Sequence, residues 1–80
     1  MHYLVFAKST GPMRPVYHSL DWSKAAKVQS QIHETQRTSP AWLGEFEEED
    51  LEYFNLDPAR TGWCDPTFKL ATAYLETIND

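Results

Sequence analysis

Half of the twelve acidic side chains in this 80-residue chain lie within eight positions, from Glu45 to Glu52. Closely spaced carboxylates can coordinate a cation, transfer protons as a general acid and base, or present negative charge to a basic partner. A calcium loop needs alternating Asp or Asn ligands and a glycine, which the segment lacks. No carboxylate spacing points to an acid–base pair. Two interpretations remain: a solvated face that keeps a small domain soluble, and a surface that recognises another protein.

Arranged as a helix from Glu45 to Asn55, the acidic segment has two different sides. One side carries glutamates and the other carries most of the apolar residues. The glutamate side consists of Glu45, Glu48, Glu49 and Glu52. The apolar side consists of Phe46, Leu51, Tyr53 and Phe54. Like charges three and four positions apart repel, and the segment contains no Lys or Arg that would relieve this repulsion. Function is one explanation for such an unfavourable arrangement.

The residues that could support nucleophilic or metal chemistry are few. Cys64 is the only cysteine, and an Asp-Pro pair follows it at the predicted start of a helix, where a thiolate is favoured. A nucleophile also needs a base and an orienting group. His2, His18 and His33 are far apart in the sequence and have no metal-ligand spacing, although the fold could bring two of them together. We therefore predict a partly buried thiol, packing roles for His18 and His33, no metal or cofactor, and no enzymatic activity.

The net charge of −5 is unevenly distributed along the chain. Residues 1–40 contain five basic and two acidic side chains, a net +3, whereas residues 41–80 contain two basic and ten acidic ones, a net −8. Unless the halves interleave in the fold, this asymmetry indicates a charged partner. The basic residues of the first half could form a modest basic face. The acidic total charge and the pI of about 5.0 argue against direct binding of nucleic acid.

Several features predict a cytoplasmic protein without a membrane partner. No apolar stretch reaches the roughly 20 residues of a membrane-spanning helix. The first residues lack the basic lead-in of a secretory signal. A single cysteine cannot form an internal disulfide, which fits a reducing compartment.

Alternating apolar residues predict two strands that pair as an antiparallel hairpin. Residues 2–8 are apolar on both faces, which favours a central strand, and residues 14–20 supply the returning strand. Residues 41–46 form either a third short strand, with Trp42 and Phe46 on one face, or a loop into the acidic segment.

Helical periodicity predicts two further helices. The first extends from Trp22 to Gln36 with Asp21 as its N-cap. Its apolar face consists of Trp22, Ala25, Val28, Gln29 and Ile32. The second covers residues 66–78. Between the acidic segment and this helix, Asp57 and the proline after it predict a single capped turn that stops at Gly62.

Together these elements predict one α+β domain over residues 1–80. A small antiparallel β-hairpin or three-stranded sheet packs on one face against two to three helices. The apolar fraction of 41 % and the aromatic fraction of 14 % suit a compact core at this length.

In size, acidity and the absence of a catalytic motif or signal, the chain is similar in kind to small inhibitors encoded by phages and mobile elements. These include anti-restriction and anti-CRISPR proteins and other nucleic-acid mimics. The similarity concerns composition and transfers no site residue. The segregation of charge along the chain predicts a non-enzymatic protein-binding module that presents Glu45, Glu48, Glu49 and Glu52 to a basic groove of a target. Tyr53, with Trp42 or Trp63, would supply apolar anchors.

The alternative is a self-associating structural module. The basic amino-terminal half of one copy would then contact the acidic carboxy-terminal half of another.

Overall fold

The computed structural model describes residues 1–8, 13–35 and 41–65. Its strands and helices are β1 (His2–Lys8), β2 (Met13–Ser19), α1 (Trp22–Thr35), β3 (Trp42–Phe46), α2 (Glu48–Tyr53) and β4 (Gly62–Trp63). The strands form one antiparallel sheet in the spatial order β3-β1-β2-β4. The α+β class and the central position of β1 are confirmed, and the segment that the sequence left open as a strand or a loop forms β3. The predicted helix over residues 66–78 lies outside the described residues.

The sheet contains a fourth strand that the sequence analysis missed. After α2, Asp57 forms the predicted capped turn: its Oδ1 accepts a hydrogen bond from the Ala59 amide at 2.9 Å. The chain then pairs with β2 through β4, and the Cys64 amide donates to the Val16 carbonyl oxygen at 2.9 Å. The turn therefore leads into a short edge strand.

A bulge interrupts the β1–β2 hairpin near Pro15. Val5 lies opposite Tyr17 and Phe6 lies opposite Pro15, so Val16 is an extra residue on β2. Proline has no amide hydrogen to donate to the ladder, and a bulge is one of the few places in a sheet that tolerates it.

Helix α1 packs on one face of the sheet, here named the α1 face. Ala25, Val28 and Ile32 are fully buried against Val5 and Ala7 of β1. Asp21 caps the helix as predicted, because its Oδ1 accepts from the Ser23 amide at 2.9 Å.

Two predictions about the start of α1 are wrong. Trp22 was placed on the apolar face but is 55 % exposed, because it is the first helical residue, at the corner where the chain leaves β2. Leu20, assigned to the second strand, lies beyond the end of β2 and is also exposed.

The opposite face of the sheet, the α2 face, has its own apolar cluster. Phe6 of β1 contacts Phe46 of β3, with ring centroids 5.8 Å apart, and both contact Phe54 with centroids 5.5 Å apart. Leu4, two residues before Phe6, and Leu51 of α2 are fully buried. The helices therefore cover both faces of the sheet, whereas the sequence analysis placed them on one.

Candidate functional site

The acidic segment is divided between a strand and a short helix. Glu45 belongs to β3 and pairs with Tyr3 of β1, whereas α2 begins only at Glu48. The predicted helix from Glu45 to Asn55 is therefore too long at both ends. Because successive strand residues point to opposite faces, Glu45 projects toward the α1 face while Phe46 projects toward the α2 face. Assigning Glu45 to the same surface as the other glutamates is wrong.

Both ends of α2 are defined by hydrogen bonds. At its start, Glu47 and Asp50 form a reciprocal capping box, and the Asp50 carboxylate accepts from the Glu47 amide at 3.1 Å. At its end, Asn55 has a positive φ of 59°. The Asn55 amide donates to Glu52 and the Leu56 amide donates to Leu51, both at 3.0 Å, which is a Schellman motif with Asn in the left-handed position. These two caps compensate for the shortness of the helix.

Two apolar residues attach α2 to the sheet. Leu51 is fully buried, and Phe54 lies across the rings of Phe6 and Phe46. The remaining α2 side chains and that of Glu47 are exposed. Three of the four residues predicted on the apolar side of the segment, Phe46, Leu51 and Phe54, therefore hold it against the sheet.

The exposed side of α2 brings together four of the five predicted partner-binding residues. Glu48, Glu49 and Glu52 are exposed, and Tyr53 is 85 % exposed while its ring contacts Phe54 at a centroid distance of 5.3 Å. These four residues are named the acidic surface. No Lys or Arg lies between Arg37 and Arg60 in the sequence, so the segment has no basic neighbour along the chain. The glutamates near the start of α2 interact favourably with the helix dipole, which offsets part of their mutual repulsion.

The two tryptophans considered as anchors occupy different positions. Trp42 is 60 % exposed on β3, and strand alternation places it on the α2 face with Phe46. Trp63 is half-buried, and its ring packs edge-on against Tyr17 of the core on the α1 face, with centroids 5.1 Å apart. Trp42 is therefore the one of the two that lies on the same side of the sheet as the acidic surface.

Cys64 does not have the surroundings of a nucleophile. Its Sγ–H donates to the Pro15 carbonyl oxygen at 3.5 Å. Burial raises the pKa of the thiol to about 11, with a further contribution from the Asp65 carboxylate. The protonated thiol is therefore the dominant form at neutral pH.

The fold brings two histidines together, which the sequence analysis allowed but did not predict. His2 of β1 and His18 of β2 lie on the α2 face, with Nδ1 of His2 2.9 Å from Nε2 of His18. Nδ1 of His18 lies 2.7 Å from the Arg60 carbonyl oxygen. His18 is buried on its strand as expected. His33 was assigned a packing role, but it is exposed on α1, where it lines a shallow depression with Gln29, Ser30 and Glu34.

Within residues 1–8, 13–35 and 41–65, no group of three or more His, Cys, Asp or Glu side chains is placed to hold a metal ion. In the same part of the chain, no helix is long and apolar enough to cross a membrane.

No protein-family model, curated protein or solved structure matches this chain.

Proposed function

We propose that the chain is a non-enzymatic module that binds another protein through the acidic surface of α2. The observation that carries this proposal is the 85 % exposure of Tyr53 beside Glu49 and Glu52. Burying a tyrosine ring removes a large apolar area from water, and tyrosine is enriched among residues that dominate binding energy. Tyr53 thus combines an apolar anchor with adjacent carboxylates.

Because α2 is attached to the sheet, its exposed surface is already formed before a partner binds. Both ends of the helix are capped, and Leu51 and Phe54 fix its inner side. A partner therefore meets carboxylates whose backbone positions are already set, which lowers the conformational entropy lost on association. Complementary charge on the partner would increase the association rate and make affinity depend on salt.

The partner that fits this surface has a groove rich in Lys and Arg. In its most specific form, the proposal is that of an inhibitor of the phage or mobile-element kind. The carboxylates of α2 would occupy sites that normally hold nucleic-acid phosphates, and so block a nucleic-acid-processing complex. Counter-defence against restriction or CRISPR systems is the corresponding biological role.

Affinity capture tests the proposal. Tagged protein is incubated with host lysate at low salt, and proteins released at moderate salt are identified by mass spectrometry. The test variant is E49K/E52K on α2, and the control is E34K/E45K, whose glutamates are also exposed but lie on α1 and on the α1 face of β3. Both variants change the net charge equally. We expect a nucleic-acid-binding protein to be retained by the wild type and the control and lost from the α2 variant. Equal loss of the partner from both variants would mean that the overall charge, and not the acidic surface, accounts for binding.

Self-association is the second candidate, and the separation of the helices supports it. Lys24 and Lys27 are exposed on α1, on the opposite side of the sheet from α2. A copy could therefore place its α1 side on the acidic surface of the next, in a head-to-tail arrangement. Sedimentation at low and high salt distinguishes the candidates, since self-association predicts a salt-sensitive oligomer and the binding module predicts a monomer.

A further inference from the structure

The pair formed by His2 and His18 has a defined hydrogen-bond order. A carbonyl oxygen can only accept, so Nδ1 of His18, 2.7 Å from the Arg60 oxygen, carries a hydrogen. In a neutral His18, Nε2 is then an acceptor, and Nδ1 of His2 must donate to it across 2.9 Å. The chain of bonds runs from His2 through His18 to the loop that precedes β4.

This arrangement limits how many protons the pair can hold. At 2.9 Å the two facing nitrogens have room for one hydrogen between them. One added proton is accommodated on the outer Nε2 of His2, which leaves the bond between the rings unchanged. It is also accommodated on Nε2 of His18 if His2 moves its own hydrogen from Nδ1 to Nε2. A second proton puts hydrogens on both facing nitrogens and two positive charges on rings whose centroids are 5.1 Å apart.

Among the described residues, those that pair with His2 and His18 across the strands carry no countercharge. Opposite His2 on β3 is Phe46, opposite His18 on β1 is Leu4, and opposite His18 on β4 is Gly62. The loop contributes the main-chain carbonyl of Arg60, whose residue as a whole is exposed. The Met1 amino group adjoins His2 in the chain, and Met1 is exposed. Among these neighbours, the charged groups are positive, so they oppose a doubly protonated pair.

We propose that His2 and His18 form a one-proton latch that opens the start of β1 when the second proton binds. His2 is the residue of the pair that moves away when the latch opens. It is half-buried at the first position of its strand, whereas His18 is 1 % exposed and held by Arg60. The opening separates His2 from Phe46, its partner on β3. Imidazole is the side chain that ordinarily changes charge between about pH 5 and 8, so the latch responds to mild acidification. This inference does not depend on the proposed function of α2.

The sign of the pH dependence follows from proton counting. In acid the unfolded chain binds a proton on each histidine, whereas the closed latch holds one between them. The unfolded state then binds more protons, so the folding equilibrium constant falls as pH falls, by up to tenfold per pH unit until the latch opens. In the variant H2Q the glutamine amide can donate to neutral His18 or, rotated, accept from protonated His18. In the folded state of H2Q, this site can then take up a proton without losing the hydrogen bond between residues 2 and 18.

The experiment combines chemical denaturation and amide hydrogen exchange between pH 7 and 4.5 for wild type, H2Q and the control H33Q, which removes an exposed histidine. We expect wild type and H33Q to lose stability more steeply than H2Q below pH 6. We also expect exchange at the start of β1 to accelerate in wild type and H33Q but not in H2Q. If H2Q does not fold, imidazole nitrogen NMR shifts of the wild type supply the test, because the latch requires coupled, two-step protonation of the pair. Parallel pH profiles for all three proteins, or independent titration of His2 and His18, would overturn the proposal.

Discussion

The ring of Phe54 packs edge-on against the ring of Phe46, with centroids 5.5 Å apart and planes inclined at 80°. This contact connects the residue after α2 to the last residue of β3, so the acidic helix is fastened to the strand that precedes it. Edge-on aromatic pairs contribute about 0.5–1.5 kcal/mol beyond the area they bury. The helix that carries the acidic surface is therefore connected to a local apolar cluster of Phe6, Phe46 and Phe54.

The inner side of α2 should contribute more to the free energy of unfolding than its outer side, and substitutions at Leu51 and Tyr53 compare the two. Leu51→Ala removes a fully buried side chain and should lower the free energy of unfolding by about 2–5 kcal/mol. Tyr53→Ala, at an exposed position two residues further on, should lower it by no more than about 1.5 kcal/mol, because it loses only the edge-on contact with Phe54. Urea denaturation followed by circular dichroism measures both. Similar losses for the two variants would mean that Tyr53 is part of the fold and not available to a partner.

Gly44 should resist substitution because Phe46 lies over it. A Cβ added at Gly44 would be 2.8 Å from Cε2 of Phe46, so the ring would have to move out of its cluster. Gly44→Ala should therefore cost about 1–3 kcal/mol of stability. The penalty should shrink in a Phe46→Leu background, which a double-mutant cycle measures. An equal penalty in both backgrounds would locate the strain elsewhere.

Cys64 should react slowly with alkylating reagents in the folded protein. Its pKa is raised from 9.0 to about 11, so the thiolate fraction at pH 8 is about 100-fold lower than in the unfolded chain. Alkylation should therefore be slower for the native than for the urea-unfolded protein, with restricted access to the half-buried thiol adding to the effect of its pKa. Rates independent of folding would contradict this prediction.

The raised pKa of Cys64 also predicts that the stability of the fold decreases at alkaline pH. Between pH 9 and about 11 the unfolded thiol has lost its proton and the folded thiol has kept it, so the contribution of Cys64 decreases as pH rises. Cys64→Ala should remove this component, while titration of lysines and tyrosines remains in both proteins.

The elements that sequence predicted best have strong local signals. Asp21 sits one residue before a period-3.6 pattern, and α1 begins at the next residue. Strand β4 has only two residues, so it carries no measurable periodicity, and it forms through non-local pairing with β2. Its existence follows from where the chain returns after α2, which composition and spacing do not encode.

The prediction of the acidic surface was only partly correct, because Glu45 fits two sequence patterns. It completes an i, i+3, i+4, i+7 set with the α2 glutamates, but it also alternates with its neighbours as a strand residue and pairs with Tyr3. The pairing of Glu45 with Tyr3 in the sheet makes it a strand residue. The Glu47 and Asp50 capping box was a local signal for the later start of the helix.

The proximity of His2 and His18 could have been predicted if the register of the hairpin had been known. A hairpin of strands 2–8 and 14–20 that places Leu4 opposite His18 puts His2 on the same face, one diagonal step away. The sequence alone left the register open, since both faces of β1 are apolar, and the bulge at Val16 shifts it beyond Val5.

The most direct test of the acidic surface is the salt dependence of binding to the captured partner, for wild type, E49K/E52K and E34K/E45K. Each protein is first checked for an unchanged far-UV spectrum and melting temperature. E49K/E52K should weaken affinity by at least about tenfold at low salt and flatten its salt dependence, because complementary charge is lost. E34K/E45K should bind within about twofold of the wild type. Wild-type affinity and salt dependence in E49K/E52K would mean that the acidic surface of α2 does not bind the partner.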